Sequence, residues 1–158
     1  MYFKNNKDNI LNDFEILRTK TDCIINFFSL DLVKEIGFSQ AIYALYPDSY
    51  NQIFYSILNG NFKEGNILPF SKSKPIIMHI PYKKKYNEDI NKELLKKGLI
   101  KFSQNYKKLK IEKISVQKNN LINEEILNEI IEDLDFPDIM YFEHKSGAFS
   151  NALALNQA

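Results

Sequence analysis

The segment Thr21–Pro47, TDCIINFFSLDLVKEIGFSQAIYALYP, constrains the fold more than any other part of the chain. From Cys23 to Phe28 it is a continuous apolar run broken only by Asn26. A run of this length without alternation predicts a strand covered on both faces, as strands of parallel sheets are. Phe38, Ile42, Leu45 and Tyr46 then recur at helical spacing. Pro47 lacks the N–H that would continue that helix. A buried strand that feeds a helix through a loop is the unit of an α/β fold, and ligands of such folds sit at that junction. Here the loop carries Leu30, Asp31, Leu32, Val33, Lys34 and Glu35 before its one glycine, Gly37. A phosphate cradle made of inward-turned backbone N–H groups needs several glycines. The junction therefore predicts a scaffold more clearly than it predicts chemistry.

The rest of the chain repeats the pattern. A short first strand is expected over Tyr2–Asn6, followed by Asp8, Asn9, Ile10 and Leu11. Asp48 stands where an N-cap would open a second helix, with Tyr50, Ile53, Phe54, Ile57 and Leu58 as its apolar stripe and Asn59-Gly60 as its end. Asn66–Phe70 reads as a short strand, Pro75–Pro81 as a buried one, and Tyr82–Glu88 as a polar, basic loop. Ile90, Leu94, Leu95, Leu99 and Phe102 mark a long helix interrupted by Gly98. Ile111–Val116 is the next strand, Ile122–Leu134 the next helix and Pro137–Phe142 the last strand. Strands alternating with helices predict a single three-layer α/β/α domain over residues 1–145, with a mixed, largely parallel central sheet. Residues 146–158 are small and polar and read as a C-terminal tail.

Composition removes several function classes. A length of 158 residues suits one domain with a proper core, and a net charge of +1 gives no general attraction to nucleic acid or anionic membrane. Cys23 is the only cysteine, so neither an intrachain disulfide nor an all-cysteine metal site is available. His79 and His144 are far apart in sequence, and no metal or cofactor is expected. With no signal-peptide pattern and no membrane-length apolar run, the expected location is a bacterial or phage cytoplasm.

The order DNI (Asp8 to Ile10), DCIIN (Asp22 to Asn26), GFSQAIYALYP (Gly37 to Pro47), FKEGNILPF (Phe62 to Phe70), IIMHIPYKKKY (Ile76 to Tyr86), KKGL (Lys96 to Leu99) and IEKISV (Ile111 to Val116) resembles a macro domain. It is most similar to the branch found in bacterial antitoxins that remove ADP-ribose from DNA. The resemblance covers roughly Tyr2 to Glu143. It implies two ligand loops. Asn26 matches the strand-end asparagine before the first loop, and Ser29 stands where a second, catalytically important asparagine is expected. Leu32 and Glu35 occupy glycine positions, and Gly37 remains a glycine. Lys118, Asn119 and Asn120 replace the glycine-rich turn of the second loop, and Asn9 falls near the adenine-reading position.

These departures imply a degenerate, non-catalytic module. It would bind an ADP-ribose-related nucleotide weakly, or a protein partner, through the cleft. A second possibility is an active ADP-ribosyl hydrolase on DNA or protein, for which Asp31 and Glu35 are the loop's candidate acid and base. A third is a nucleic-acid module that uses Lys83, Lys84 and Lys85 between Tyr82 and Tyr86.

Overall fold

The computed structural model describes residues 3–5, 21–32, 38–71, 75–118 and 122–143. Its elements are β1 (Phe3–Asn5), β2 (Cys23–Ser29), α1 (Phe38–Leu45), α2 (Pro47–Leu58), β3 (Leu68–Phe70), β4 (Ile76–Lys83), α3 (Lys92–Asn105), β5 (Lys113–Lys118), α4 (Glu124–Ile131) and β6 (Asp138–Glu143). The strands form one sheet in the order β1-β6-β5-β2-β4-β3. Neighbours are parallel except β3, which runs antiparallel beside β4. The expected mixed, largely parallel sheet is what forms.

β2 lies between β4 and β5, and all seven of its residues are buried. The pleat sends alternate side chains to opposite faces. Cys23, Ile25 and Phe27 pack in one core with Leu95, Leu99 and Phe102 of α3 and Leu127 and Ile131 of α4. Ile24 and Phe28 pack in a second core with Ile42 and Tyr43 of α1 and Ile53 of α2. β4 divides in the same way, with Met78 and Ile80 in the first core and Ile77 in the second. Two cores on two faces explain the unbroken apolar run. Neither face of β2 can be polar without a partner.

Local chemistry sets the boundaries. Asn91 and Asn123 cap α3 and α4, their side chains accepting from the N–H of Leu94 and Ile126. Asp22 accepts from the N–H groups of Glu112 and Lys113 and so fixes where β5 starts beside β2. In α2 the expected Asp48 cap is replaced. Pro47 is itself in the first turn, Tyr46 takes the cap position with no side-chain bond, and Asp48 follows inside the helix. Proline suits that turn because the missing N–H would have no intrahelical partner. The expected strand end at Pro81 is also corrected. β4 continues through Tyr82 and Lys83. Its register against β2 shifts between Phe28, opposite Pro81, and Ser29, opposite Lys83. An irregularity at that point accommodates a residue that cannot donate to the ladder. The boundary between domain and tail at residues 145 and 146 lies outside the described residues.

Gly98 does not interrupt α3. It is buried within the helix where α3 crosses β4, and a Cβ there would stand 2.9 Å from Cγ2 of Ile80, which is fully buried. Gly98→Ala is therefore expected to destabilise the fold by about 1–3 kcal/mol, because overpacking a stiff, β-branched neighbour outweighs the gain in helix propensity. Urea unfolding would measure this, and a variant as stable as wild type would show that α3 can lift off the sheet at little cost.

Candidate functional site

In an open α/β sheet the crevice lies beyond the carboxyl ends of the parallel strands. Here those ends belong to β2 and β4, flanked by β5. Asn26 lies three residues inside β2 rather than at its end. It is fully buried and forms the centre of a hydrogen-bond hub. Its Oδ1 accepts from Ser39 Oγ at 2.7 Å. Its amide nitrogen donates to Tyr43 Oη at 3.1 Å and lies 2.9 Å from Nδ1 of His79. Ser39 also reaches the carbonyl of Phe27 at 3.1 Å. Both donors and the acceptor of the amide are thus engaged inside the protein. Asn26 joins β2 to β4 and to α1. It holds the start of the helix that follows the first loop, and its amide is turned to that task rather than to a ligand.

His79 completes the hub, fully buried between Phe28 and a stacked Tyr43. With Nδ1 accepting from Asn26, the ring proton rests on Nε2, which has no hydrogen-bond partner among the described residues. Burial pushes the pKa of His79 down to about 3, so the imidazole is neutral. Burial likewise pushes the Cys23 thiol up, which keeps it protonated and inert.

At the mouth, Ser29 Oγ donates to Asp31 Oδ1 at 2.8 Å, and the Tyr86 N–H donates to Asp31 Oδ2 at 2.9 Å. The Leu30 N–H donates to the Lys83 carbonyl, binding the two strand ends together. Lys83, expected in a solvated loop, is only 6% exposed. Its ammonium donates to the Tyr86 carbonyl at 3.2 Å and lies over the rings of Tyr82 and Tyr86. No carboxylate pairs with it among the described residues. Lys84 pairs with Glu64 at 3.0 Å, and Lys85 is exposed. The three lysines therefore do not form one exposed basic stripe, which corrects the expectation placed on them.

Leu32, at a predicted glycine position, has φ of 62°. That is the left-handed region glycine fills without strain. The sequence reading missed Ser39 and Tyr43, and it missed the burial of Lys83. Lysine before an exposed aromatic looks like surface, and only the continuation of β4 buries it. Ser29, Asp31 and Lys83 are brought together, while Asn26 sits one layer deeper. Asn9, Glu35, Gly37, Asn119 and Asn120 lie outside the described residues, as does the side chain of Lys118 at the end of β5. A cavity of about 680 Å³ is at the opposite end of the sheet, lined by Phe70, Ser71, Ile76 and Lys108 among others. Asn26, Ser29, Asp31 and Lys83 do not line it.

Two outcomes follow from the hub. Asn26→Leu is expected to cost about 2–4 kcal/mol, because it strands the buried partners of the amide. A loss below about 1 kcal/mol in urea unfolding would mean that the hub is not structural. His79 binds its proton less well folded than at its ordinary value of 6.5. Below pH 6.5 the unfolded chain therefore holds the extra proton, and stability falls with pH until about pH 3. Between pH 7.5 and 5.0 the His79 contribution is about 2 kcal/mol. A His79→Gln variant should lose that much less than wild type over this interval, and equal losses would exclude His79 as the cause.

No protein-family model and no curated protein matches the chain. Solved structures do. The chain is similar to the macrodomain of Thermus aquaticus DarG, with a TM-score of 0.71 at 17% identity over 90% of this chain and 98% of that one. It is similar to the macrodomain of Mycobacterium tuberculosis DarG, with a TM-score of 0.67 at 18% identity over 80% and 91% of the two chains. A third likeness is to Thermosipho africanus DarTG in complex with ADP-ribose, with a TM-score of 0.67 at 15% identity, covering 80% of this chain and 39% of that one. At identities this low the likeness is one of architecture, and it agrees with the sheet order and two-sided helical cover described above. The chain has the fold of a macrodomain.

Proposed function

We propose that this macrodomain-type module binds ADP-ribose, or a related nucleotide diphosphate, at the carboxyl ends of β2 and β4, and does not hydrolyse it. The observation that carries the reading is Lys83. A buried ammonium with one carbonyl acceptor and two aromatic faces is short of negative charge. An anionic ligand at the mouth would supply it. The described structure similar to this chain that holds ADP-ribose supports the choice of ligand class. The absence of hydrolysis is supported by what the other polar groups do. Asn26 is engaged inside the hub, and Ser29 and Asp31 are engaged with each other and with the Tyr86 N–H.

Calorimetric titration with ADP-ribose is expected to give a Kd of roughly 1–100 µM, about 5–8 kcal/mol of binding free energy. Lys83→Met is expected to weaken it at least about tenfold, since a charge-assisted contact is lost. No ADP-ribose should be released from mono-ADP-ribosylated DNA or protein. No heat from a folded protein would overturn the ligand assignment.

An active ADP-ribosyl hydrolase is the second reading, and the same residue favours it. The Lys83 ammonium beside a ligand mouth can stabilise negative charge on a departing group as the glycosidic bond breaks and water adds at the anomeric carbon. Release of ADP-ribose that vanishes in Lys83→Met would establish this reading over the first.

A further inference from the structure

Four observations converge on Asp31. Its two carboxylate oxygens take the Ser29 hydroxyl and the Tyr86 backbone N–H. Ser29 closes β2 and Tyr86 lies in the turn just beyond β4, where Ser29 is opposite Lys83 and the Leu30 N–H meets the Lys83 carbonyl. Lys83, more than nine-tenths buried, donates to the carbonyl of that same Tyr86 and has no carboxylate partner among the described residues. The turn that presents Asp31 is closed by the Leu32 N–H on the Ser29 carbonyl at 3.0 Å, with Leu32 in the left-handed region. A bulky residue in that conformation is strained, and such a turn persists because surrounding contacts hold it. Hydroxyl, backbone N–H and ammonium are the donor types that bind a phosphate oxygen. In this chain a carboxylate of its own already occupies two of them.

We propose that Asp31 is a built-in competitor of the anionic ligand. Its carboxylate stands in for a ligand phosphate on the Ser29 hydroxyl and the Tyr86 N–H, and binding of a phosphoanhydride requires it to swing away. The inference rests on the anion-binding reading of this mouth. It adds that affinity is set low by one side chain rather than by missing donors. Asp31 is exposed, so its carboxylate can leave the turn for water without unpacking a core. Its negative charge also opposes a diphosphate at close range, so removing it acts twice in the same direction.

The test is calorimetric titration of ADP-ribose and of inorganic pyrophosphate into wild type, Asp31→Ala and Asp31→Asn. Thermal melts of the unliganded proteins confirm folding. Asp31→Ala should bind both probes about tenfold more tightly, as expected for freeing two donors and removing a charge. Asp31→Asn, which loses the charge but keeps an acceptor, should fall between, and it carries the test alone if the alanine variant does not fold. Binding seen only in the variants also supports the proposal. Wild-type binding that is unchanged or weakened in both variants overturns the competitor role and leaves the ligand assignment standing. No binding by any of the three folded proteins overturns both.

Discussion

A polar side chain placed in the middle of a strand that is buried on both faces must be satisfied from within, and Asn26 is that side chain. β2 contributes side chains to both cores, and its neighbours β4 and β5 are positioned by pairing with it. An unmatched amide there would cost more than a typical hydrogen bond contributes. The chain meets the demand with Ser39 and Tyr43 from α1 and His79 from β4. The hub therefore fixes the register of the central pair and the angle at which α1 leaves the first loop. The shape of the mouth follows from it.

That solution has a consequence for chemistry. Groups that hold the scaffold are not available to a substrate. His79 is neutral and enclosed, and Asn26 is engaged on both sides of its amide. What remains near the surface is a different set, Ser29, Asp31, Lys83 and Tyr86, joined across the ends of two strands. It contains donors suited to an anion and one carboxylate suited to exclude it. The described helices also include none long and apolar enough to cross a membrane.

The three solved structures compared above share this architecture at identities between 15% and 18%. Such divergence is compatible with one fold because the demands on β2 and β4 are mostly of volume and polarity, which many residues meet. The demands on a ligand loop concern backbone freedom and placed donors, which few residues meet. Leu32 with φ of 62° shows the asymmetry, since a bulky residue there holds a conformation that glycine adopts without strain.

The sequence by itself determined the α/β class, the elements around Thr21–Pro47 and the two buried strands. Apolar periodicity reports burial directly, and burial dominates the choice between strand and helix. It also showed a first loop with a single glycine, Gly37. It did not reveal which side of β2 Asn26 faces, or that Ser39, Tyr43 and His79 meet it, because those contacts join residues 13, 17 and 53 positions apart. Nor did it reveal that Lys83 is buried. A lysine after Pro81 reads as loop, and only the shifted register beside Phe28 and Ser29 carries β4 on and draws that side chain inward. Local sequence chose the elements, and pairing between distant strands decided which polar groups became scaffold and which became the mouth.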